Sequence, residues 1–159
     1  MKVFIGIGSN LNQPLQQIKT AIETLQKYTF IDVVKVSCLY YSKPLDNKAQ
    51  PDYINGVILL KTNLSALDLL DVLQQIENQH GRDRSAERWS SRPLDLDILL
   101  YGSQQINNER LQIPHPGVGV RAFVLLPLAE LAPDLTIPGL GKLKLLVKTC
   151  PTEGLQKII

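Results

Sequence analysis

The sequence predicts an α+β domain: a ferredoxin-like βαββαβ core, with helices packed on an antiparallel sheet, plus an appended C-terminal helical segment. Three observations predict it. Runs of β-branched and aromatic residues alternate with two amphipathic segments in the order β-α-β-β-α-β. Both amphipathic segments carry helix start signals at the positions where the apolar period begins. The length of 159 residues suits one domain, expected to span 1–159, since domains typically run to about 100–150 residues.

Each element follows from its residues. Lys2 to Gly8 mixes β-formers with glycine and reads as a buried strand. Ser9 and Asn10 are good N-cap residues. After them Leu11, Leu15, Ile18, Ile22 and Leu25 recur at steps of four and three, one apolar face of a helix ending near Lys27. Pro14 falls in its first turn, where proline is tolerated. Phe30 to Tyr41 reads as one long strand, and Tyr53 to Thr62 as the third. Between them residues 42–52 form a loop whose length is uncommon and often functional.

Ser65 caps the second helix, with Asp68 as capping-box acid and Leu64 and Leu69 as the staple. Leu69, Leu70, Leu73 and Ile76 make its buried face, and Gly81 ends it. Residues 82–92 lack apolar periodicity and read as a loop. Leu94 to Tyr101 is the fourth strand. Gln104–Ile106 and Arg110–Ile113 are read as a small hairpin. Arg121 to Leu131 reads as a helix interrupted or restarted at Pro127. From Pro133 onward prolines and glycines predict weak structure.

Charge narrows the function. The formal net charge is +2, yet all six arginines lie between Arg82 and Arg121 and all eleven lysines lie outside that stretch. Asp83, Glu87, Asp95, Asp97 and Glu109 bring the window down to +1. Such a balance argues against a broad nucleic-acid surface, which needs a strongly basic face. Cys38 and Cys150 do not make a disulfide framework. No apolar run reaches the length of a membrane span. The expectation is a soluble, cytoplasmic protein with free thiols.

The chemistry concentrates in Arg92-Pro93-Leu94-Asp95-Leu96-Asp97-Ile98-Leu99-Leu100. Side chains alternate along a strand. Asp95, Asp97 and Leu99 therefore share one face, and Leu94, Leu96, Ile98 and Leu100 the other. Carboxylates two residues apart lie within roughly 7 Å and repel unless compensated. A divalent cation removes that cost, and two aspartates completed by water and phosphate oxygens suit Mg²⁺. The alternative is an exposed edge strand with solvated acids. The flanking leucines argue instead that the strand is central.

The loop Arg82 to Arg92 leads into this strand with four guanidinium groups, which bind phosphate oxygens bidentately. His115 stands between Pro114 and Pro116, with Arg110 and Arg121 nearby in sequence, and a nucleotide contact fits there. Gly6-Ile7-Gly8-Ser9-Asn10 lacks the third glycine of a dinucleotide fingerprint and the Gly-Lys-Ser/Thr of a P-loop. It is read as close packing and a helix cap. His80, at a helix end, is read as favouring the dipole.

Together these segments resemble the 6-hydroxymethyl-7,8-dihydropterin pyrophosphokinase family. The resemblance is carried by Gly6-x-Gly8-Ser9-Asn10-Leu11, Gln50-Pro51-Asp52-Tyr53-x-Asn55 and Glu77-x-x-x-Gly81-Arg82-x-Arg84. It continues through Glu87-Arg88-Trp89-x-x-Arg92-x-Leu94-Asp95-Leu96-Asp97-Ile98, Pro114-His115-Pro116, Arg121-x-Phe123-Val124-Leu125-x-Pro127-Leu128 and Ala132-Pro133. The resemblance implies diphosphate transfer from ATP to the hydroxymethyl group of the dihydropterin, with release of AMP. It implies two Mg²⁺ ions on Asp95 and Asp97, with Arg82 and Arg92 neutralising the transferring group. It assigns Arg84, Arg88, Trp89, Arg92, Arg110, His115 and Arg121 to ATP, with Gln74 and Ile98 near the adenosine. The pterin would lie between Tyr53 and Phe123, held by Asn55, with Pro44, Leu45, Trp89 and Asp95 lining its pocket.

The chain departs from the family at Ser42-Lys43, at Gln112 and Pro116, and at Gly117-Val118-Gly119, where relatives carry bulkier polar residues. The expected partners are ATP and the dihydropterin, with no nucleic acid and no membrane, and the protein is expected to be a monomer. A non-enzymatic ferredoxin-like RNA-binding module using Tyr53, Phe123 and the arginines is the alternative. A palm-like nucleotidyltransferase is a third reading, disfavoured by the short chain.

Overall fold

Strand alternation and two amphipathic helices dictate how this chain layers. In the computed structural model, which describes residues 1–10, 13–42, 53–81, 93–152 and 155–158, the elements run β1 (Lys2–Ser9), α1 (Pro14–Lys27), β2 (Ile31–Val36), β3 (Tyr40–Ser42), β4 (Tyr53–Thr62), α2 (Ala66–Gln79) and β5 (Asp95–Tyr101). Then follow β6 (Ile106–Asn107), β7 (Gln112–Ile113), α3 (Ala122–Leu131), β8 (Thr136–Ile137), β9 (Gly141–Lys142), α4 (Leu143–Thr149) and β10 (Gln156–Lys157). The result is α+β, with an antiparallel main sheet and four helices among the described residues.

β1 lies between β4 and β5 and pairs with each antiparallel. β2 and β3 pair in succession along β4, and β10 adds outside β3. One sheet face carries Val3, Ile5, Ile7, Ile58, Leu60, Leu96 and Ile98 against Ile18 and Leu25 of α1 and Leu69, Leu73 and Ile76 of α2. The other carries Phe4, Val57, Leu59, Leu99 and Leu100 against Val124, Leu125 and Leu128 of α3.

Several expectations are corrected. The long strand expected over Phe30–Tyr41 is two strands. At the break, Ser37 exchanges two bonds with Val57: Ser37 N–H donates to Val57 C=O (2.9 Å) and Ser37 Oγ accepts from Val57 N–H (2.8 Å). Leu39 folds over Gly56, where a Cβ would lie 2.7 Å from Leu39 Cδ2. Helix α1 is capped by Gln13 in left-handed backbone (φ 62°), not by Ser9 or Asn10. Those two are buried, and Ser9 Oγ donates to the Pro93 carbonyl, tying the end of β1 to the start of β5.

Among the described residues β5 is an edge strand of the main sheet, not a central one. Its leucines are buried from above and below, by α2 on one face and the α3 layer on the other, rather than by strands on both sides. A register shift opposite Phe4 and Ile5 leaves Leu99 without a paired residue. Leu100 therefore joins the face of Leu99 instead of that of Ile98, because a bulge adds one residue to the alternation. Helix α3 runs unbroken through Pro127. Burial of Val124, Leu125 and Leu128 outweighs the one helix bond that proline removes.

The C-terminal region is also more ordered than its composition predicts. Ile137 and Leu143 are fully buried and anchor the β8–β9 hairpin and α4. The expected cap of α2 does form, with Ser65 Oγ accepting from Asp68 N–H at 3.1 Å, and Gly81 (φ 87°) follows its end.

Candidate active site

The strand registers assemble the site. Tyr40 of β3 stands opposite Asn55 of β4, Asn55 opposite Gly8 of β1, and Gly8 opposite Asp95 of β5. The next row on the same face runs Val57, Gly6, Asp97. Asp95 and Asp97 are half-buried and stand directly beside the two β1 positions that lack a side chain. A Cβ on Gly8 would lie 2.5 Å from Asn55 Oδ1, so Asn55 already occupies that space. The close-packing reading of Gly6-x-Gly8 thus acquires a location: the floor beneath the carboxylate pair.

Asn55 is oriented by β3. Its Nδ2 donates to Ser42 Oγ at 3.1 Å. Tyr53 lies two residues before Asn55 and so on the same face. Phe123 enters from above, in the first turn of α3, and the Arg121 guanidinium lies 5.7 Å from its ring centre. Gly117 makes that pose possible, since a Cβ there would lie 2.7 Å from Arg121 Nε. Gly117 therefore lets Arg121 fold down against the backbone, while Gly119 faces Leu140 and Val118 is buried in the α3-side core.

His115 approaches Asp97 from the segment after β7. Its N–H donates to Leu99 C=O at 3.0 Å, and its Nε2 lies 3.9 Å from Asp97 Oδ2. Burial pushes the His115 pKa below its ordinary 6.5, with the Arg121 charge acting in the same direction and Asp95 opposing. Gly117 N–H donates to His115 Nδ1 at 3.1 Å. Nδ1 is thus an acceptor, and in the neutral ring the proton sits on Nε2, facing Asp97.

Glu77 is the residue whose role the sequence left open. It is only 2% exposed. Its Oε2 accepts from Leu96 N–H at 2.8 Å, on the edge of β5 between the two aspartates. Its one legible signal is an acid within the apolar face of α2.

The structure gathers Asp95, Asp97, Asn55, Tyr53, His115, Arg121 and Phe123 on the α3 face. Gln74 and Arg110 form a separate group where the β6–β7 hairpin meets α2. Arg110 Nη2 lies 2.5 Å from Asp71 Oδ1 and 3.4 Å from Gln74 Oε1. The Ile98 side chain is buried in the α1–α2 core and faces away from the aspartates. Arg82, Arg84, Arg88, Trp89, Arg92, Pro44 and Leu45 lie outside the described residues. His80 stands at the end of α2, as expected; burial lowers its pKa, which works against the charged form, and its Nδ1 contacts Gln17 Oε1.

Among the described residues the site is thus a pair of half-buried carboxylates on one face of an antiparallel α+β sheet. Comparison with known proteins defines its class. Residues 4–133 match the family described as 7,8-dihydro-6-hydroxymethylpterin-pyrophosphokinase (HPPK), and the chain belongs to that family of enzymes. A 2-amino-4-hydroxy-6-hydroxymethyldihydropteridine pyrophosphokinase of Pseudomonas aeruginosa is 47% identical over 99% of this chain and 96% of its own length. Its counterpart from Haemophilus influenzae is 48% identical over 98% of this chain and 96% of its own. A crystal structure of Plasmodium falciparum HPPK-DHPS with pterin and p-hydroxybenzoate aligns with a TM-score of 0.78 at 14% identity. That alignment covers 99% of this chain and 46% of the other, so this chain spans about half the length of that protein, and the likeness speaks to the fold alone.

Proposed function

We propose that this chain transfers the terminal diphosphate of ATP to the hydroxymethyl group of 6-hydroxymethyl-7,8-dihydropterin, releasing AMP, in folate biosynthesis. The observation that carries the reading is the placement of Asp95 and Asp97. They stand on one sheet face, each beside a glycine of β1: Asp95 in the row that continues through Gly8 and Asn55 to Tyr40, and Asp97 in the adjacent row of Gly6 and Val57. The family membership and the names of the two bacterial relatives support the same reaction. The strand order β5-β1-β4-β2 supports the ferredoxin-like description.

The donor set fits magnesium. Among the described residues no cluster of three or more His, Cys, Asp or Glu side chains forms. Two hard carboxylates that leave the remaining positions to water and phosphate oxygens are what Mg²⁺ takes. When bound at Asp95 and Asp97, two Mg²⁺ ions would neutralise phosphate oxygens and draw the attacking hydroxyl toward phosphorus.

The protein's own part is positioning. Arg82 and Arg92 neutralise charge on the transferring group, and Arg84, Arg88, Trp89 and Arg121 hold the nucleotide and its phosphates. Neutral His115 offers Nε2–H as a donor to a phosphate oxygen. Gln74 and Arg110 hold the nucleoside end along the edge of β5, where Ile98 contributes through its backbone because its side chain is buried. Tyr53 and Phe123 sandwich the pterin ring, each face adding ~0.5–1.5 kcal/mol beyond burial. Asn55, fixed by Ser42, hydrogen-bonds the ring edge, while Pro44, Leu45, Trp89 and Asp95 close the pocket.

The reading includes a cytoplasmic monomer without nucleic-acid or membrane partners. No helix among the described residues is long and apolar enough to cross a membrane. The RNA-binding alternative has no support, since the family is enzymatic. The test is AMP release from ATP and Mg²⁺ with and without the hydroxymethyl dihydropterin. AMP that forms only with the pterin is expected, and AMP formed at the same rate without it contradicts the reading.

A further inference from the structure

One polar contact on the site face, between exposed Glu130 and buried Tyr40, has no part in the chemistry above. Glu130, near the end of α3, reaches the sheet with both carboxylate oxygens. Tyr40 Oη donates to its Oε1, and Cys38 N–H donates to its Oε2 at 3.0 Å. Tyr40 is buried, and it stands in the strand row that continues through Asn55 and Gly8 to Asp95. Burial alone would raise the Glu130 pKa. The bonds from Tyr40 and Cys38 and the charge of Lys157 outweigh it, so the carboxylate is held ionised below its ordinary 4.5. Burial and the Glu130 contact together raise the Tyr40 phenol well above its ordinary 10.0.

The spacing gives this contact its consequence. Glu130 follows Phe123 by seven residues, two helical turns or about 10 Å, so the two project from one face of α3. The helix is tied to β3 at Glu130 and presents Phe123 at its other end. From the sheet side, Tyr40 backs Asn55, and Tyr53 lies two residues before Asn55. The outer edge of β3 is in turn held by β10, where Lys157 pairs with Tyr40 and Ile158 N–H donates to Leu39 C=O at 2.8 Å.

We infer that the Glu130–Tyr40–Cys38 contact is a positioning clamp that sets how far α3 stands above β3 and β4, and thereby the gap between Phe123 and Tyr53 that admits a flat heteroaromatic ring. This rests on the assignment of that gap to the pterin. Glu130 and Tyr40 touch no substrate and act through Phe123 and Asn55. The C-terminal strand β10 then belongs to the same device, bracing β3 from outside.

The experiment compares Y40F, E130Q, the double variant and F123A in steady state, with thermal unfolding of each. Y40F removes one hydroxyl and E130Q keeps the side-chain shape, so both retain the fold. Each is expected to raise KM for the dihydropterin about three- to tenfold while KM for ATP moves less than about twofold. The double variant is expected to match the singles rather than multiply them, since one contact is lost in all three. If F123A raises the pterin KM but Y40F and E130Q leave it unchanged, or shift both KM values together, the clamp is overturned and the pterin site stands. If F123A itself leaves the pterin KM unchanged, the pterin assignment fails and the clamp with it.

Discussion

The two faces of the main sheet are built from the same strands and do opposite work. Under α1 and α2, Val3, Ile5, Ile7, Ile58, Leu60, Leu96 and Ile98 form a continuous apolar layer. On the other face, among the described residues, the apolar patch under α3 and α4 comprises Phe4, Val57, Leu59, Leu99 and Leu100. Beyond that patch the strands carry Asp95, Asp97, Gly8, Asn55, Tyr40 and Tyr53. Alternation places each carboxylate one residue from a buried leucine or isoleucine. The apolar face thus holds the backbone of the polar one. The lesson is a division of labour: changes on one face should alter stability, and changes on the other should alter turnover.

The largest effect expected is at the carboxylate pair. Asp97→Ala should lower kcat by about a thousandfold or more while the unfolding midpoint stays within a few degrees. An inactive variant that has also lost its fold would blur the division, so circular dichroism accompanies the assay. On the opposite face, Leu25→Ala, at a fully buried position of α1, should cost about 2–5 kcal/mol in denaturant unfolding. Its kcat at low temperature should stay near the parent value, and a strong drop there would break the comparison.

A smaller effect is expected at the boundary of the site. Ser42→Ala removes the acceptor of Asn55 Nδ2. Loss of about 1 kcal/mol of orientation corresponds to roughly a fivefold rise in the pterin KM. The smallest concerns His80, on the α1–α2 side. Burial depresses its folded pKa, so the unfolded chain binds a proton first as pH falls. Stability from this group is present above its ordinary 6.5 and is lost as pH drops through the lowered value. His80→Gln should therefore lose less thermal stability than the parent between about pH 7 and about pH 5.5.

Local pattern made part of this legible in advance. The Asp-x-Asp alternation, the Ser65 cap, the Gly81 stop and the order of the first five long elements follow from period and capping chemistry. What stayed hidden depends on contacts between distant residues. That β5 lies at an edge cannot be read from its leucines, because helices bury them as well as strands would. The bulge at Leu99 is a matter of pairing with Phe4 and Ile5. Glu77 reaching Leu96, Glu130 reaching Tyr40 and β10 pairing with β3 join residues from 19 to 117 positions apart. The C-terminal composition of prolines and glycines looked unstructured because Ile137 and Leu143 find their buried places only once α3 is packed.

The central claim is that two phosphoryl groups move together to the pterin. Phosphorus NMR of a reaction containing ATP, Mg²⁺ and the hydroxymethyl dihydropterin tests it most directly. The account predicts AMP and a pterin diphosphate ester in equal amounts, with no free pyrophosphate. ADP with a pterin monophosphate, or AMP with free pyrophosphate and unchanged pterin, would contradict it.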